Sequence, residues 1–162
     1  MNRLTKWICL TVMALTALAG RAQEGRHAER LFGEYGKREG SVLIELAKDV
    51  LGNHTRIRRY KSLIAPLSDA LLRETEKAVR EDLKDGGAPM MESRRDGRIE
   101  KACYHLGERP DSGLHEYILL SAKSGKMTLI YLKGDFPPDR LEEEIGRLKH
   151  LFIKVNGKHI KL

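Results

Sequence analysis

The sequence predicts an α+β fold, an antiparallel, hairpin-rich β-sheet packed by about three helices. Two observations carry that expectation. Turn dipeptides, Asp96-Gly97 and Ser124-Gly125, separate runs of alternating side chains, the mark of tight hairpins. Elsewhere apolar residues recur at three- and four-residue spacing, as one face of a helix requires.

In the first such stretch, Gln23 to Lys37, Ala28, Leu31, Phe32 and Tyr35 share a helical face, and Arg38-Glu39-Gly40 breaks the pattern. Ser41 to Leu46 reads as a short strand, Gly52-Asn53 as a turn, and Arg56 to Ile64 as a second strand closed by Pro66. A long helix follows. Ser68 is its expected N-cap, with Leu67 and Leu72 placed as a hydrophobic staple. Its apolar face is Leu71, Leu72, Thr75, Ala78, Val79 and Leu83, its remaining surface is mixed charge, and Gly86-Gly87 ends it.

Two hairpins come next. A two-residue turn at Asp96-Gly97 sets Arg95 opposite Arg98, Glu92 opposite Lys101 and Met90 opposite Cys103. A turn at Ser124-Gly125 sets Glu116 opposite Lys133, Ile118 opposite Tyr131 and Leu120 opposite Leu129, with Tyr117–Leu132 and Leu119–Ile130 on the other face. Both faces of this second hairpin are apolar, so its strands are expected in the sheet interior, covered on both sides. Asp139, with Glu142 three residues on, is the expected cap of a short helix that turns Leu141, Ile145 and Leu148 inward. Asn156-Gly157 signals a third hairpin over residues 151–162, an extension whose apolar side must dock on the domain or on a partner.

The start of the chain carries an address. Arg3 and Lys6 precede a short apolar run from Trp7 to Ala19, and Gly20-Arg21-Ala22 supplies small residues before a cut. Residues 1–22 are expected to be a signal peptide cleaved between Ala22 and Gln23, leaving 23–162 as one domain in the periplasm or outside the cell. The apolar run is too short to span a bilayer. Cys9 lies inside it, where it cannot take a lipid, so neither a transmembrane anchor nor a lipoprotein is expected.

Cleavage changes the charge. Removing Arg3, Lys6 and Arg21 from 30 basic residues leaves 27 against 23 acidic ones, so the net charge falls from +7 to +4. That mild excess and the interspersed carboxylates argue against a nucleic-acid partner. An envelope protein, a glycan or an anionic surface remains as the expected partner class. Cys103 is then the remaining cysteine, so no intramolecular disulfide is expected and the thiol reads as a buried small apolar group.

Several segments resemble a known family. Leu31-Phe32-Gly33-Glu34-Tyr35 with Lys37-Arg38-Glu39, then Tyr60-Lys61-Ser62-Leu63, then Thr128 to Gly134 before a Leu-Glu-Glu helix, are similar to a small exported family from Bacteroides and its relatives, a domain of unknown function. The resemblance runs from Leu31 to Leu148 and includes the Ala22-Gln23 junction. It implies an envelope location and an α+β fold, and it brings no catalytic residue.

Chemistry is sparse. No nucleophile elbow, phosphate loop, dinucleotide fingerprint or zinc-protease helix is present, and no cofactor or metal is implied. One candidate constellation is Cys103, His105, His115 and Glu116: Cys103 and His105 share a strand face, and a loop from Leu106 to Leu114 returns the chain to His115. Such a set can bind zinc or serve a thiol nucleophile with a histidine base, although Glu116 alternates away from His115. A second candidate is a ligand-binding basic run, Arg56, Arg58, Arg59 and Lys61 around Tyr60, joined by Lys154, Lys158 and Lys161. Its alternative is a charged strand edge that prevents aggregation. The function these readings favour is a non-catalytic exported binding or accessory protein. The alternative is a small hydrolase or thiol- or metal-dependent enzyme using Cys103, His105 and His115.

Overall fold

A computed structural model describes residues 26–154. The expected leader, its Ala22-Gln23 junction and the Asn156-Gly157 turn lie outside these residues. In chain order the elements are α1 (His27–Tyr35), β1 (Val42–Ala47), a single helical turn α2 (Lys48–Leu51), β2 (Ile57–Pro66), α3 (Asp69–Leu83), β3 (Ala88–Arg95), β4 (Arg98–Glu108), β5 (His115–Lys123), β6 (Lys126–Gly134), a 3-10 turn (Pro138–Arg140) and α4 (Leu141–Lys154). The six strands form one antiparallel sheet in the order β1-β2-β6-β5-β4-β3, so the α+β expectation holds.

Both faces of that sheet are covered, by different helices. On the first face α1 and α3 bury Leu31, Phe32, Leu71 and Val79 against Leu63, Ile118, Leu129 and Tyr131. On the second, α2, α4 and the loop after β6 bury Leu51, Phe136, Leu141 and Leu148 against Ile57, Tyr60, Tyr117 and Leu132. This explains the two apolar faces of β5 and β6, which are the inner pair of strands. Their register matches the sequence expectation at each of the five pairs named above. Ser124 (φ 54°) and Gly125 (φ 71°) make the tight turn that sets it.

The β3–β4 hairpin departs from its expected register. Arg95 does face Arg98, but Glu100 is an extra residue on β4, so Ser93 meets Lys101, Glu92 meets Ala102 and Met91 meets Cys103. A second bulge at Met90 restores the register, and Pro89 meets Tyr104. The bulges accompany local charge pairing: Arg95 reaches Glu100 at 3.3 Å and Arg94 turns back to Glu92 at 2.6 Å. Turn chemistry specifies the register beside the turn but not that of a strand that bulges beyond it.

α3 begins as the sequence indicates, with Ser68 Oγ accepting from Leu71 N at 3.1 Å. Leu67 and Leu72 pack in the same apolar cluster. Its buried face contains one unexpected member, Asp82, which is 1% exposed, while Leu83 is only partly buried. Asp82 accepts hydrogen bonds from the backbone N–H of His27 (2.7 Å) and Ala28 (2.9 Å). A carboxylate from α3 thus caps α1, whose preceding residue, Arg26, makes no side-chain cap.

Two expectations at the C-terminal side are corrected. Asp139 does not cap α4; it lies within the 3-10 turn, which begins at Pro138 after extended Pro137. Proline suits a first helical position because it has no N–H to leave unpaired. Leu141 and Leu148 are buried and Ile145 is partly buried, as expected. Secondly, residues 151–154 are not a hairpin strand: α4 continues through Lys154. The apolar spacing Leu141, Ile145, Leu148 continues in phase at position 152, as a helix through this segment requires. Glu144 anchors α4 on the loop before β2, accepting from Thr55 Oγ1 and Arg56 N, each at 2.8 Å.

The buried cap yields a stability prediction. Asp82→Ala leaves two N–H groups of α1 unpaired and should cost about 1–2 kcal/mol. Urea unfolding should show a lower midpoint at an unchanged slope. Glu81→Ala, on the exposed side of the same turn, should leave the urea midpoint close to that of the parent.

Candidate functional site

The catalytic constellation suggested by sequence divides between the two faces of the sheet. Strands β4 and β5 pair antiparallel, with His105 opposite Tyr117 and, beyond a bulge at Leu106, Gly107 opposite Glu116 and Glu108 opposite His115. Gly107 has φ +98°, a conformation that disfavours side chains, and it closes the bulge. The bulge brings the two histidines together on the second face, with His105 Nε2 and His115 Nδ1 at 3.0 Å, one donating and the other accepting. His115 Nε2 lies 3.9 Å from Glu108 Oε2.

A row of rings continues from this pair. His105 lies 5.1 Å from Tyr117, and Tyr117 stacks on Phe136 at 5.2 Å with the planes 5° apart. The Tyr117 hydroxyl donates to Phe136 O at 2.7 Å. Gly134 makes this possible, because a Cβ there would overlap the Phe136 ring and lie 2.8 Å from Arg56 O. Burial, then the neighbouring His115, holds the His105 pKa below its ordinary value of 6.5.

Cys103 lies on the same face, two residues from His105, and is partly buried. Its Sγ contacts Met90 Sδ at 3.8 Å, and burial raises its pKa. A thiol in that state is a weak nucleophile. Among the described residues, no three His, Cys, Asp or Glu side chains are grouped to hold a metal ion.

Glu116 belongs to the first face and to other partners. Its Oε2 accepts from Arg26 Nε at 2.6 Å and its Oε1 from the Tyr131 hydroxyl at 2.5 Å. Arg26 is itself 6% exposed and donates to Leu106 O at 2.8 Å. Both carboxylate oxygens are therefore occupied by structural bonds. Sequence reasoning did not find Arg26 or Asp82 as buried polar groups. The available signals were a carboxylate alternating with apolar residues in β5 and an aspartate on the apolar face of α3.

The basic run is likewise dispersed. β2 is paired on both sides, by β1 and β6, so the run is not a strand edge as the alternative reading expected. Tyr60 and Lys61 are buried and face opposite sides of the sheet, Tyr60 in the second-face cluster. Arg59 and Lys61 share Glu29 of α1 at 3.1 and 3.2 Å, and Lys61 also reaches Glu45 at 3.4 Å. Arg56 and Arg58 are exposed. Lys154 belongs to α4, while Lys158 and Lys161 lie outside the described residues.

What remains open is the outer part of the second face. All eight residues of β3 are exposed at the sheet edge. Between β3–β4 and α4 runs a groove of about 560 Å³, lined by Met90, Met91, Cys103 and Leu119 on the sheet side and by Leu141 and Ile145 on the helix. Among the described residues, no helix is long and apolar enough to cross a membrane.

The histidine pair yields a pH prediction. The folded-state pKa of His105 lies below its unfolded value. On acidification the unfolded chain therefore takes up a proton before the folded chain does, and stability falls as pH drops below 6.5. Urea midpoints measured from about pH 7.5 to about pH 5.5 should fall less steeply in His105→Gln than in the parent. An equal slope would remove His105 from the acid response.

Comparison with known proteins assigns the chain to a family but supplies no activity. No curated protein matches the chain. A similar solved structure is that of PA94, a protein of unknown function from Pseudomonas aeruginosa, at 13% identity, covering 76% of this chain and 87% of that one. Its TM-score is 0.36, too low to support a structural argument. The family profile of DUF6108, a family of unknown function, matches residues 15–145. On that match, which takes in strands β1 to β6 and the start of α4, the chain belongs to DUF6108.

Proposed function

We propose that this protein is an exported, non-catalytic binding or accessory module that engages an envelope partner through the open outer part of its second sheet face. The observation that carries the reading is the division of the candidate catalytic groups. Glu116 is held by Arg26 and Tyr131 on one face, while Cys103 and the two histidines lie on the other. A thiol becomes a nucleophile when a histidine accepts its proton, and here His105 pairs with His115 while the Cys103 sulfur contacts Met90, with the carboxylate on the far face. The fully exposed β3 edge and the groove beside it leave surface available for binding instead.

The leader pattern at Arg3 to Ala22 supports export. The competing reading, a small hydrolase or thiol enzyme, has the His105–His115 contact in its favour. It requires Cys103 to ionise against its burial.

Protein recovered from the envelope fraction of its native cells should begin at Gln23. A photo-crosslinking side chain placed at Met91 should trap a saturable partner that the same probe at Arg30, on α1, does not. Equal trapping at both positions would overturn the assignment of the surface. A thiol-dependent hydrolysis of model esters or amides, abolished by both Cys103→Ala and His105→Gln, would replace the binding reading with the enzymatic one.

A further inference from the structure

The groove on the second face is rich in sulfur. Met90 and Met91 are 41% and 48% exposed, whereas Met127, the third methionine among the described residues, is fully buried. The β3 bulge makes Met90 the extra residue between Pro89 and Met91, and Met91 is paired directly with Cys103. Two thioethers and one thiol therefore border the same groove from adjacent strands.

The spacing suits a shared ion. Cys103 Sγ and Met90 Sδ are 3.8 Å apart. Two sulfurs bound to one metal at about 2.3 Å are separated by roughly 3.8 Å in tetrahedral and 4.0 Å in trigonal geometry. Thiolate and thioether ligands together select soft ions, copper(I) above all among biological metals, over the oxygen-seeking divalent cations. Asp139 and Glu142 on the α4 side of the groove favour a cation, opposed there by Lys149.

We propose that Met90, Met91 and Cys103 form a binding site for a soft monovalent metal ion, copper(I), with silver(I) as its chemical equivalent. Binding forms a metal–sulfur bond to Cys103 and releases the thiol proton to solvent, with no change of oxidation state. The thioethers complete the coordination as neutral donors. The site borders the surface assigned above to a partner but stands independently of that assignment, since the metal is tested without a partner and the partner without metal.

The discriminating substitution is methionine to leucine. It preserves volume and apolar character while removing the ligand atom, so a merely apolar strip would tolerate it. Anaerobic titration of the purified protein with copper(I), in competition with bathocuproine disulfonate, should give a single equivalent bound per chain. Affinity should rise between about pH 6 and about pH 8 as the thiol proton is more easily lost. Met90→Leu/Met91→Leu and Cys103→Ala should each weaken binding roughly tenfold or more, and silver(I) should displace copper(I) where zinc(II) does not. Thermal unfolding of each variant would establish that it is folded. Both methionines are exposed, so the double variant remains informative if Cys103→Ala misfolds. Failure to bind a stoichiometric equivalent, or undiminished affinity in the folded double methionine variant, would overturn the proposal.

Discussion

The fold depends on one buried guanidinium. Arg26, immediately before α1, reaches Glu116 of β5, Leu106 O of β4 and, at 3.5 Å, Asp82 O at the end of α3. Removing two charges from water costs several kcal/mol per ion, and that cost is offset only where further hydrogen bonds satisfy the remaining donors and acceptors. Here they do: Tyr131 donates to the second oxygen of Glu116, and the Asp82 carboxylate, next to the carbonyl that Arg26 contacts, caps α1. A single polar network joins two helices and three strands. It fixes where α1 starts and which strands it covers.

That network also divides the sheet by purpose. The first face is closed by α1 and α3 and contains the buried Arg26, Asp82 and Glu116, with Glu29 holding Arg59 and Lys61 along its border. The second face is closed only in part. α4 covers the strands near Tyr117 and Leu132, fastened by Glu144 to the loop before β2, and leaves β3 and the outer side of β4 uncovered. Exposed sulfur, a histidine pair and a groove all belong to this second face. The groups that resemble catalytic residues in the sequence are drawn apart because β5 alternates, sending His115 and Glu116 to opposite sides.

Legibility varied with the range of the controlling interaction. The β5–β6 register was readable because a tight turn and two-residue alternation both fix it locally. Ser68 was readable as a cap because the bond that makes it one lies within three residues. The β3–β4 register was not, since its bulges at Glu100 and Met90 reflect side-chain pairing and edge position that no turn dictates. Asp82 escaped notice because its partners, the N–H groups of α1, are more than fifty residues away in the chain. Of the candidate site, sequence placed Cys103 and His105 on one face and anticipated that Glu116 points away; the 3.0 Å approach of the histidines required the bulge at Leu106.

The sequence by itself determined the fold class, the central hairpin and the apolar faces of the long helices, because periodicity, caps and tight turns are local properties of the chain. Tertiary structure decided which charges are buried, where β3 bulges, that α4 runs on through Lys154, and which face of the sheet remains open. These outcomes depend on what distant elements place against each residue. A carboxylate at position 116 or a methionine at position 90 acquires its chemistry from neighbours that folding alone supplies.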